Sequence, residues 1–100
     1  MNELKWLEKW HLENANNDGY ALGIKIETLD NPGWIVKIDL SDTKYAGIRV
    51  DRAVYDNSED DWMDCHIEDN VFIGVGDCMK LGEIIRFFRE RIMSQRNLSP

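Results

Sequence analysis

Apolar residues in this chain of 100 residues never run to the ~20 needed to cross a bilayer as a helix. The first ten residues, MNELKWLEKW, interleave charge with Trp and Leu where a secretory signal would be apolar. The expectation is a cytoplasmic chain with no membrane partner. Cysteine is scarce as well: Cys65 and Cys78 are too few and too far apart for a disulfide framework or a zinc ribbon, so reduced, partly buried thiols are expected. No repeat, linker or low-complexity stretch interrupts the chain.

Catalytic equipment is equally thin. Cys65 and His66 are neighbours on an expected strand, so their side chains face opposite ways and cannot form a nucleophilic pair. His11, on an expected helix, reads as a histidine at the edge of an apolar stripe. Asp60, Asp61, Asp64 and His66 fit no calcium-loop spacing. Gly74-Val75-Gly76 lacks the third glycine or the lysine of a phosphate-binding turn, and Asp77 beside it would repel phosphate. No catalytic residue, metal or cofactor is assigned.

What is present is a globular composition, 43% hydrophobic and 31% charged, in a length that suits one domain spanning residues 1–100. The net charge of −7 is confined to one segment. Between Asp51 and Asp69 stand eight acids (Asp51, Asp56, Glu59, Asp60, Asp61, Asp64, Glu68 and Asp69) against Arg52 alone, while elsewhere acids and bases cancel. That placement argues against nucleic acid as a direct partner and for a basic protein surface. The plainer alternative is a solvated acidic loop that serves solubility. Trp62 lies inside this segment, and two readings stay open for it: an inward-facing strand residue, or an outward anchor ringed by carboxylates.

Periodicity predicts a helix from Asn2 or Glu3 to about Asn14, with Leu4, Leu7 and His11 on one side and Trp6 and Trp10 beside them. Residues 14–19, rich in Asn, Asp and Gly, should stop it. Tyr20 to Leu29 and Trp34 to Leu40 alternate with period two and form a hairpin. Asp30-Asn31-Pro32-Gly33-Trp34 supplies its turn, and Pro before Gly predicts a type II turn with Gly33 at positive φ. Ala46 to Val50 reads as a short third strand with Ile48 and Val50 inward, and Asp56 to Asp61 as a polar loop. Trp62 to Glu68 and Val71 to Val75 form a second hairpin through Asp69-Asn70, which tolerate positive φ. Asp77 would cap a helix from Cys78 to about Gln95, with Leu81, Ile84, Ile85, Phe88 and Ile92 on one face. Helix, about five strands, then helix gives an α+β fold: an antiparallel sheet with both terminal helices on one face.

The stretch from Gly23 to Trp34 (GIKIETLDNPGW), followed by Lys37-Ile38-Asp39-Leu40, resembles the immunity protein 53 family of bacterial polymorphic-toxin systems. Trp6-Leu7 and Trp10, Asp61-Trp62, Gly76-Asp77 and Lys80-Leu81 agree with it. The cysteine and Trp-Glu-His element that often precede the signature in that family are absent, since residues 15–22 read ANNDGYAL, and no role of those positions carries over. The resemblance implies an immunity protein, not an enzyme, whose partner is a cognate toxin domain. Combined with the charge placement, it predicts contact through Asp56, Glu59, Asp60, Asp61, Trp62, Asp64, Glu68 and Asp69, with Asp60, Asp61 and Asp64 at the centre. A nuclease would present a fitting basic cleft. A small enzyme with an acidic pocket and an adaptor without a toxin partner are the alternatives.

Overall fold

The computed structural model describes residues 2–14, 23–41 and 43–98, the last six by their backbone alone. The elements run α1 (Glu3–Asn14), β1 (Ile24–Leu29), β2 (Gly33–Asp39), β3 (Ala53–Ser58), β4 (Asp61–Glu68), β5 (Val71–Gly76) and α2 (Leu81–Leu98). All strands pair antiparallel in the spatial order β1-β2-β5-β4-β3, which makes the expected α+β arrangement.

One face of the sheet builds the core. Val36 and Ile38 of β2 are fully buried, and their register carries the apolar layer from Ile26 and Ile24 on β1 across to Gly74 and Phe72 on β5, then to Cys65 and Ile67 on β4. α2 lies on this layer through Ile84, Ile85, Phe88 and Ile92, the i, i+1, i+4, i+8 stripe expected of a helix face. It seats closely because β5 carries Gly74 beneath it: a Cβ there would overlap Cγ2 of Ile84. α1 closes the same side by packing against α2. Trp10 and Trp6 meet the Phe88 ring edge-on, with centroids 5.2 Å and 5.9 Å away. Asn2 caps α1, its Oδ1 accepting the Lys5 amide at 3.1 Å.

Several expectations need correction. Within α1 the inward stripe is Trp6, Leu7 and Trp10, while Leu4 is 53% exposed and His11 stands at the surface. The β1–β2 loop is Asp30-Asn31-Pro32, and Gly33 already pairs with Leu29 as the first residue of β2, so it does not take positive φ and the type II turn is not formed. Gly33 is needed for another reason: a Cβ would collide with the carbonyl oxygen of Gly76 on β5. Ala46 to Val50 is turn and irregular chain, although Ile48 and Val50 still pack on the core. The third strand is instead Ala53–Ser58, whose second half, Asp56 to Ser58, lies in the stretch expected to be polar loop; it forms the sheet edge, where burial leaves no apolar alternation. α2 begins at Leu81 and not at Cys78: Asp77 accepts the Met79 amide as a cap would, but residues 77–80 close a separate turn, the Lys80 amide donating to the Asp77 carbonyl at 3.1 Å, before the helix starts. Asp69 and Asn70 do take positive φ, 51° and 64°, in the tight turn expected of them. Asn70 also accepts the Gly47 amide through its side chain at 2.8 Å and so ties the 43–47 loop to the sheet. The expected stop of α1 over positions 15–19 and the strand start at 20–22 lie outside the described residues.

Candidate binding surface

The second face of the sheet carries no helix among the described residues. Alternation and register place Lys25, Glu27 and Leu29 there from β1, Ile35, Lys37 and Asp39 from β2, Val71, Ile73 and Val75 from β5, and Trp62, Asp64, His66 and Glu68 from β4. Two cross-strand rows organise it. Lys25, Lys37, Ile73 and His66 form one; Glu27, Ile35, Val75, Asp64 and Val54 form the next. An apolar centre of Ile35, Ile73 and Val75 is therefore flanked toward β1 by Lys25 and Lys37 together with Glu27 and Asp39, and toward β3 by Asp64 and Asp56. At one end a hollow of about 310 Å³ opens between Lys25, Lys37 and Asp39 on one side and Glu68 and Asp69 on the other, over Val71 and Ile73.

The acidic segment does not gather into one patch. Asp56 and Trp62 are directly paired, and Asp64 follows Trp62 by two residues, so these three share the bare face. Trp62 is half-buried there and faces away from the helices. Glu59 and Asp60 make the exposed turn between β3 and β4. Glu68 and Asp69 lie at the opposite end of β4, about 25 Å away at ~3.3 Å per residue. Asp61 points to the helix-bearing side and belongs to an ion network.

That network is built on Lys80, which sequence reasoning did not find. Its Nζ donates to Asp61 at 2.7 Å and to Asp77 at 2.8 Å, and the Asp61 carboxylate also accepts from Tyr55 at 3.1 Å and Asn57 at 3.0 Å. Asp77, 4% exposed, accepts the Trp62 amide and the Met79 amide, each at 2.8 Å. Three elements are locked together by these bonds: β3, β4 and the entry to α2. The shared ammonium holds the Asp77 carboxyl down at about 2, and Asp61 is lowered by Lys80 first and by Asn57 next. The two carboxylates in turn raise Lys80, which keeps it charged and unsuited to act as a nucleophile or base. On the bare face Arg52 pairs with Asp64 through two donors and lowers its carboxyl, while His66 Nδ1 sits 3.9 Å from the same carboxylate. Of the three acids expected at the centre, Asp61 and Asp64 are thus engaged within the chain and Asp60 is free in the turn.

Both thiols are free. Cys65 is buried and pushed up to about 12 by desolvation, and Cys78 is exposed. No group of three or more His, Cys, Asp and Glu with metal-binding geometry occurs among the described residues, and none of the described helices is long and apolar enough to cross a membrane.

A bare sheet face with an apolar centre, charged flanks of both signs and a half-buried Trp is the equipment of a recognition domain. A family model described as immunity protein 53 matches residues 4–93, and the chain belongs to that family. Membership makes it an immunity protein, a class defined by a toxin partner and generally without enzymatic activity. No curated protein and no solved structure matches the chain.

Proposed function

We propose that residues 1–100 act as one immunity domain that binds a cognate toxin domain in the cytoplasm and neutralises it, and that the β3–β4 hairpin supplies the charge that draws the toxin in. Family membership supports the partner class. Charge placement supports the mode of attraction: once Asp61 and Asp64 are assigned to Lys80 and Arg52, the exposed Asp56, Glu59 and Asp60 still crowd one end of the molecule beside Trp62. A field of this kind raises encounter rates with a basic surface and is screened within ~8–10 Å at physiological salt. A toxin acting on nucleic acid carries such a surface, which favours a nuclease as the partner.

Reversal of the three exposed acids (Asp56→Lys, Glu59→Lys, Asp60→Lys) tests the attraction. Association with the toxin domain encoded beside this chain's gene should slow at least tenfold and lose most of its salt dependence, with the melting temperature nearly unchanged. Parental association kinetics would show that the hairpin is only a solvated acidic turn.

A further inference from the structure

Lys25 and Lys37 stand directly opposite each other on β1 and β2, and both are exposed. Like charges in that relation destabilise an antiparallel pair, and neither lysine has an ion-pair partner among the described residues. Among the described residues the pair is therefore not ion-paired, on the sheet face that no described helix covers, although the same two strands also place Glu27 and Asp39 on that face. Ile73 continues the row of the pair, Ile35 and Val75 stand in the next row, and beyond them is Trp62, next to the acidic hairpin.

We propose that this bare face is the seat of the toxin domain, and that Lys25 and Lys37 together receive an Asp or Glu carboxylate of the toxin while Ile73 and Val75 take an apolar ridge beside it. The proposal rests on the immunity reading and assigns it a surface. The opposed lysines specify an acidic group of the toxin at that one point, between Glu27 and Asp39, and the hairpin acids specify a basic region at the other end of the apolar strip. Area requires the face to act together with its rim. Five strands at about 4.8 Å spacing and some six residues at about 3.4 Å rise give a face of roughly 500 Å², short of the roughly 800 Å² per partner of a standard interface. The β3–β4 turn, continuous with the face, provides further contact area. Steering acids at the rim and a lysine pair inside the footprint predict different kinetic signatures.

The test uses the full chain and the toxin domain encoded beside its gene, carrying an inactivating substitution so that it can be produced alone. Lys25→Glu combined with Lys37→Glu should weaken binding at least about thirtyfold, mostly through faster dissociation. The pair Lys25→Arg, Lys37→Arg should stay within about threefold of the parent, and Ile73→Gln should weaken binding at least about tenfold. Lys25→Glu alone converts the like pair into an opposite one, so it should raise the melting temperature by about 1 to 4 °C while still weakening binding. A purely structural role for these lysines cannot produce that opposition. Parental affinity in the double reversal and in Ile73→Gln overturns the proposal and leaves the immunity reading standing. Self-association of the parent that Ile73→Gln abolishes also overturns it, by assigning the face to a second copy. Failure of the parent to bind the toxin domain at all defeats the immunity reading and this inference together.

Discussion

Replacing Phe88 by Ala removes the side chain on which both helices and the sheet converge. Phe88 is fully buried, and its ring lies 5.0 Å from Phe72, 5.2 Å from Trp10 and 5.9 Å from Trp6 between centroids. Truncating a buried Phe costs about 3–5 kcal/mol. Three aromatic neighbours, each worth about 0.5–1.5 kcal/mol beyond area burial, place this site at the upper end. A domain of this size holds only about 5–15 kcal/mol in total. With a urea dependence of about 2 kcal/mol per molar, the denaturation midpoint should fall by about 2 M, and the melting temperature by more than about 12 °C. The assay is urea unfolding followed by Trp fluorescence, with the slope checked for two-state behaviour. Phe87→Ala serves as a control, because Phe87 is half-buried, stacked on the flank of Phe72 at 6.2 Å with the Arg91 guanidinium 5.2 Å over its ring, so its loss should cost clearly less. A Phe88→Ala midpoint within about 0.3 M of the parent would refute the shared core.

Further expectations follow from other parts of the structure. Gly33→Ala should destabilise by more than about 1 kcal/mol, since its Cβ meets the Gly76 carbonyl; an unchanged midpoint in denaturant would contradict that close approach. Asp77, with its folded carboxyl at about 2 against an ordinary ~3.9, contributes stability that is complete above the unfolded value and lost as pH falls. Melting temperature should therefore drop most steeply between about pH 4 and pH 2, and Asp77→Asn should flatten that drop. Alkylation at pH 8 in the native state should modify Cys78 and spare Cys65, giving one adduct by mass spectrometry; two adducts would mean the β4 core opens readily. Asp64→Asn should change stability by less than about 1 kcal/mol, because its partner Arg52 is solvent-exposed, and urea unfolding measures it.

Much of the fold was legible because its signals are local. The β2 alternation, the Asp69-Asn70 turn and the stripe on α2 each depend on a few neighbouring residues. β3 was not legible: Ala53 to Ser58 is an edge strand whose outer positions are polar or solvent-facing, so pairing with β4 defines it and burial does not. Ile48 and Val50 imitated a strand because a loop can also present alternate residues to a core. Asp77 does accept a local amide, that of Met79, as a helix cap would, but its other carboxylate oxygen takes the Trp62 amide and the Lys80 ammonium, and the turn over 77–80 sets the start of α2 at Leu81. Lys80 is 19 residues from Asp61, and only the strand register shows that they meet. The acidic segment was visible as charge, but its division between a turn, a bare face and an internal ion network depends on which way each β4 residue points. Lys25 and Lys37 carried no signal until β1 and β2 were aligned.

Production of this chain together with its cognate toxin domain tests the central claim most directly. The expected result is a stoichiometric complex that survives purification, and cells that grow while the toxin domain is expressed. Recovery of the two proteins separately, with cells killed despite abundant folded chain, would contradict it.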